Sequence, residues 1–125
     1  MKQLIVALMA LISAACNTFQ PEFTPEPNQI LKGKASYVID GDTFYFSYDK
    51  GKFKSKIMGA GSPGISEKGG FESYEFLRKL IHQKTVDIQY IQTDTEKRWL
   101  VNVKMENGED VAEKIRNHLS TLHTK

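Results

Sequence analysis

One cysteine, one tryptophan and four prolines are all that this 125-residue chain holds of those types. A lone cysteine leaves no intrachain disulfide and no cysteine-based zinc site. Three of the prolines, Pro21, Pro25 and Pro27, crowd into one short stretch, so the rest of the chain is free to form regular elements. Excess charge is also scarce. Seventeen basic residues face 15 acidic ones, a formal net charge of +2. Such a balance excludes a strong global pull on nucleic acid or anionic lipid, and any polyanion binding must come from a local patch. Long apolar runs are missing too: the uncharged run from Leu4 to Ile12 is too short to span a bilayer as a mature helix. With 40% hydrophobic and 26% charged residues, the composition is that of one globular domain with a modest core. No internal repeat is present.

What is there begins with "MKQLIVALMALISAAC": one basic residue, an apolar run, then small residues. This is the three-part pattern of a secretory signal over residues 1–15. The sole cysteine, Cys16, follows it directly in "ISAAC", which resembles a bacterial lipobox with Ser13 where leucine is commonest. The resemblance implies a diacylglycerol on the Cys16 thiol, a mature chain starting there, and a membrane-anchored place in the cell envelope. An ordinary cleaved signal or an uncleaved anchor is the other reading of this segment. Residues 16–29, with their spaced prolines and polar neighbours, read as an extended tether. The globular domain is expected over residues 30–125.

Within it, "ILKGKASYVI" and "TFYFSY" read as strands, and "DKGK" at 49–52 turns into a third, "FKSKIM". "GAGSPGISEKGG" then holds five of the nine glycines in a loop long enough to be functional. "FESYEFLRKLIHQ" spaces Phe71, Tyr74, Leu77, Leu80 and Ile81 as an amphipathic helix. "TVDIQYI" and "RWLVNVKM" are two more strands. "DVAEKIRNHLSTL" is a second helix, with Asp110 as N-cap and Glu113 three residues on. Three strands, a helix, two strands and a helix fit an α+β fold: a five-stranded Greek-key barrel of the OB type with flanking helices.

"YVIDGDTFYF" holds Asp40 and Asp42 one residue apart between two strands, which suits a tight turn and also a pair of metal ligands. "VIDGDTFYF", "KIMGAGSPG", "TDTEKRWL" and "ENGEDVAEKI", in that order over about residues 30–119, resemble a staphylococcal-nuclease (thermonuclease) domain. The resemblance implies calcium-assisted hydrolysis of phosphodiester bonds. It also implies Asp42 as a metal ligand, Asp40 as its outer-sphere neighbour, and Arg98 in "DTEKR" as a phosphate-binding arginine.

The third strand departs from the family pattern R-x-x-x-x-D-x-P-E. Lys56 stands for the arginine, Gly61 for the second metal carboxylate and Gly64 for the general base, while Pro63 is kept and Ser62 replaces a threonine. A general base contributes roughly 10²–10⁴-fold and an electrostatic donor about 10²–10³-fold, so these changes imply largely lost catalysis and a weak or absent calcium site. Glu67 or Glu72 is a replacement base only if the loop swings one of them in.

Lys50, Lys52, Lys54 and Lys56 read as a basic stripe on one strand face, either a nucleic-acid contact or a solvated edge. His82, His118 and His123 lack metal-ligand spacing, and Trp99 fits a core role better than a stacking one. The expected function is an envelope module that binds nucleic acid or another envelope protein. The alternative is an active calcium-dependent nuclease acting on extracellular or incoming DNA or RNA.

Overall fold

The computed structural model describes residues 23–123, with the signal segment, Cys16 and Pro21 outside them. Five strands close into a barrel: β1 (Ile30–Val38), β2 (Thr43–Tyr48), β3 (Gly51–Ile57), β4 (Thr85–Thr93) and β5 (Trp99–Met105). Two helices complete an α+β fold of the expected OB type: α1 (Gly70–Ile81) between β3 and β4, and α2 (Val111–His123) after β5. Around the barrel the order is β1-β2-β3-β5-β4, antiparallel except where Ser55–Ile57 run parallel to Trp99–Val101.

Closure depends on β1, which serves two partners. Its first half pairs with β4 and its second with β2, and Lys34 faces both Thr85 and Ser47. A strand shared this way must bend. Gly33 permits it, since a Cβ there would lie 2.4 Å from the Ser47 carbonyl oxygen and 2.7 Å from the Phe46 ring. A bulge between Ala35 and Tyr37 then shifts the alternation by one residue. Leu31 and Ala35 point inward before it, whereas Val38 points inward and Tyr37 outward after it.

The barrel interior is filled by Phe44, Phe46, Ile57, Ile88, Val101 and Val103, all fully buried. Leu77 and Ile81 from α1, with Val111 and Ile115 from α2, complete the core. Asp110 caps α2 as its sequence suggests, its Oδ2 accepting the Glu113 N–H at 3.0 Å. Trp99 is a core residue, stacked on Phe53 at 4.1 Å and set edge-on to Tyr90.

Residues 23–29 run along the barrel. Pro25 is buried, Asn28 N–H donates to the Tyr90 carbonyl at 2.7 Å, and Phe23 packs on Tyr48, Phe53 and Trp99. Apolar burial holds this stretch in place despite its polar neighbours.

Candidate functional site

The connection from β1 to β2 divides the work between its two aspartates. Asp40 Oδ1 accepts the Asp42 N–H at 3.0 Å, a local turn bond that fixes the backbone. Gly41 is required by close approach: a Cβ there would sit 1.9 Å from Ser62 Oγ. Asp42 is pinned beside β3, its carbonyl accepting the Ile57 N–H at 2.7 Å. Its side chain, with Oδ1 accepting the Thr43 hydroxyl at 2.9 Å, lines a surface cleft of about 540 Å³.

Lys56, Gly61, Ser62, Asp94, Arg98 and Leu100 line the same cleft. Asp42, Lys56 and Arg98, far apart in sequence, therefore share one cavity wall. Asp94 explains the D-x-x-x-R spacing. Its Oδ1 accepts the N–H groups of Glu96 and Arg98, at 2.9 and 2.8 Å, which closes the loop. Its Oδ2 accepts Arg98 Nε at 2.8 Å, which aims the guanidinium, and Glu96 adds a longer contact of 3.4 Å to Nη2. The bonds of the Arg98 guanidinium to described residues run through Nε and Nη2.

Charge in the cleft follows from these contacts. Burial pushes the Asp42 carboxyl up, and a hydrogen bond with Asp40 and the Asp40 charge add to it. The Thr43 hydroxyl and the Lys56 charge pull the other way, and the pKa settles at about 6 from an ordinary 3.8. Burial also raises Asp94, but the hydrogen bonds from the Arg98 backbone and side chain and from Glu96 outweigh it, and its pKa lies below the usual value.

The calcium ion implied by the resemblance meets a poor donor set. Calcium takes about six to eight oxygens, usually including several carboxylates. Among the described residues no three His, Cys, Asp or Glu side chains come together to hold a metal. Asp40 is engaged in its turn, both Asp94 oxygens face the Arg98 segment, and position 61 has no side chain. The residues present do not fit a calcium ion held by protein carboxylates.

The glycine-rich loop after β3 owes its composition to backbone shape. Gly59, Gly61 and Gly69 have φ of 75°, 68° and 82°, the left-handed region. Arg116 of α2 clamps its start, donating from Nη1 to the Gly59 carbonyl at 2.8 Å. Position 61 opens onto free space: a Cβ there would meet nothing within 4 Å. Position 64 is different. A Cβ there would lie 3.2 Å from Glu67 Oε1, so the Glu67 carboxylate already occupies the room that a longer side chain at 64 would take. Glu67 lines a second groove, about 620 Å³, which shares Gly61 and Ser62 with the cleft. Glu72 lines neither.

The remaining candidates separate cleanly. Lys52, Lys54 and Lys56 alternate with inward Phe53, Ser55 and Ile57, whereas Lys50 lies in the turn before β3. His82 follows α1 and meets the Tyr37 ring edge-on, and His118 stacks on Phe76 at 4.1 Å. The side chain of His123 lies outside the described part of the structure. Sequence reasoning missed the organising role of Asp94, which an Asx-type carboxylate opening a short turn could have signalled. No family model matches the chain, and no curated protein matches it.

Proposed function

We propose that this chain is an exported, lipid-anchored protein whose barrel is a staphylococcal-nuclease-like domain with largely lost catalysis. It acts in the cell envelope as a module that binds nucleic acid, with another envelope protein as the competing ligand. One observation carries this reading: Asp42, Lys56 and Arg98 meet in a cleft where position 61 offers no carboxylate, and position 64, further along the same loop, offers none either. Two cations suit a phosphate. A site without a positioned base or a clustered metal set binds a phosphodiester far better than it cleaves one. Lysine at 56 also lacks the bidentate fork that an arginine would bring to a phosphorane-like centre.

A second reading, a working calcium-dependent phosphodiesterase, draws on Glu67. Its carboxylate fills the space beside Gly64, so the base has a substitute within the same loop. The deciding experiment follows a fluorogenic single-stranded DNA with the full chain in neutral detergent, with calcium and with chelator. No calcium-dependent turnover is expected. Robust turnover abolished by Asp42→Ala and by Glu67→Gln would overturn the first reading and establish the second.

A further inference from the structure

Helix α1 packs one face against β1 and α2 and leaves the other face open. Gly70, Ser73, Leu77 and Ile81 form the buried face. On the outward side Phe71, Glu75, Arg78 and His82 follow at steps of four, three and four residues, the spacing of one helical stripe. Phe71 keeps 60% of its surface exposed, with the half-buried Tyr74 ring 6.1 Å away. At the far end His82 meets the ring of Tyr37, which is 58% exposed. The stripe thus has an open aromatic group at each end and a carboxylate and a guanidinium between them.

The helix dipole accounts for part of this pattern. Glu72 in the first turn and Arg78 and Lys79 in the last carry the signs that the dipole favours. Two features lie beyond it. Glu75 stands four residues before Lys79, the favourable order for a pair within one helix. Yet none of Glu72, Glu75, Arg78 and Lys79 forms an ion pair with a described residue. Phe71 and Tyr37 add nothing to the dipole and gain little burial in the single chain. One exposed apolar side chain is ordinary, but aromatic groups flanking an arginine are the composition of an interface centre.

The stripe is also complementary to itself. When a second α1 lies antiparallel to the first, about a two-fold axis midway between Phe76 and Leu77, Glu75 of each copy faces Arg78 of the other. Phe71 then faces His82 of the second copy, beside Tyr37. Two-fold symmetry makes every such contact occur twice. A parallel arrangement would set Glu75 against Glu75 and Arg78 against Arg78, so charge selects the antiparallel one.

We propose that the open face of α1 is the contact through which two copies of this chain associate, antiparallel about a two-fold axis. A second copy fits this face because one stripe supplies both halves of each charge pair. The helix has 12 residues and is about 18 Å long, which places the contact among small, transient interfaces. Association is accordingly weak in dilute solution and stronger where chains are concentrated, as tethering to one membrane would do. The surface itself depends neither on the anchor nor on the ligand of the cleft.

The test is sedimentation velocity of the full chain in neutral detergent over a series of concentrations. The variants are Glu75→Arg, Arg78→Glu and a double variant carrying both changes. Wild type is expected to pass from monomer to dimer as concentration rises. Each single reversal opposes like charges twice per dimer and should weaken association by roughly 10- to 100-fold. An equimolar mixture of the two single variants should dimerise as wild type does, and so should the double variant, since both restore the two pairs. Phe71→Ser should weaken association by roughly the same factor. None of these positions is buried, and circular dichroism checks that each variant keeps its fold.

Single reversals that dimerise like wild type would overturn the proposal, because chains that merely share a micelle ignore such changes. A folded double variant that stays monomeric would also overturn it, since Glu75 and Arg78 would then not be opposed. Wild type that is monomeric at every concentration would overturn it too, and would leave the α1 face to a different protein.

Discussion

Asp42 lies partly buried, with a second carboxyl close by and a pKa of about 6 against an ordinary 3.8. The folded state thus binds its proton more tightly than the unfolded chain does. Linkage fixes the sign: this contribution to stability is fully present below pH 4, falls between about 4 and 6, and stays lost above that range. Asp42→Asn keeps an acceptor for the Thr43 hydroxyl and removes the charge. It is expected to stabilise the protein at pH 7 by on the order of 1–2 kcal/mol, allowing for partial exposure, and to give no gain at pH 4. Melting curves at the two pH values check this, and an equal shift at both would show that the carboxylate is not destabilised by its surroundings. The same crowding bears on calcium. With one free carboxylate facing the cleft, binding is expected at a dissociation constant of about 1 mM or weaker. Micromolar binding by calorimetry, lost on Glu67→Gln, would mean that the loop delivers a second ligand.

At the scale of elements, the glycine-rich loop decides whether catalysis can be rebuilt. Gly61 has left-handed torsions but open space, and aspartate is among the residues that tolerate such torsions, so Gly61→Asp is sterically allowed. Gly64→Glu is not neutral, since it sets a second carboxylate against Glu67. Lys56→Arg, Gly61→Asp and Gly64→Glu combined with Glu67→Ala should therefore raise phosphodiester cleavage above wild type. The same three changes with Glu67 retained should raise it less, because adjacent like charges oppose the needed geometry. A folded fourfold variant with no activity would show that the loop holds position 64 away from the cleft. Alternation and helical spacing in the sequence were enough to read all five strands, both helices and the cap at Asp110. Three features were not legible. The bulge at Ser36 reverses the phase of β1, so Tyr37 faces outward where unbroken alternation from Leu31 and Ala35 would bury it. The fold of Glu67 over Gly64 depends on a loop whose torsions no periodicity encodes. The docking of Phe23 needs an aromatic cluster assembled from three strands that are separate in sequence.

For the molecule as a whole, the proposed anchor at Cys16 and the docked Phe23 set where the barrel stands. Six residues lie between them, a reach of about 25 Å at full extension. Phe23 sits at the end of the barrel that carries Tyr48 and Phe53, whereas Asp42 and Lys56 lie at the opposite ends of β2 and β3. Phe23 also packs on Trp99, which directly follows the cleft residue Arg98. Cys16→Ser is expected to release the protein from the membrane fraction or leave it uncleaved, and to abolish labelling by a fatty-acid probe. Labelling that persists would end the lipoprotein reading. The geometry further requires that Phe23 hold its place in solution. Truncating a fully buried phenylalanine costs roughly 3–5 kcal/mol, and Phe23 is half-buried, so Phe23→Ala should cost about 1–2 kcal/mol. For a domain of this size that lowers Tm by roughly 5–15 °C. The chain's single tryptophan, Trp99, lies 6.3 Å from the Phe23 ring, so its emission should shift to the red as water reaches the aromatic cluster. Unchanged Tm and unchanged emission would mean that residues 23–29 leave the barrel in solution. The spacer would then run to residue 29, as composition alone reads it, and the cleft would have no fixed orientation relative to the membrane.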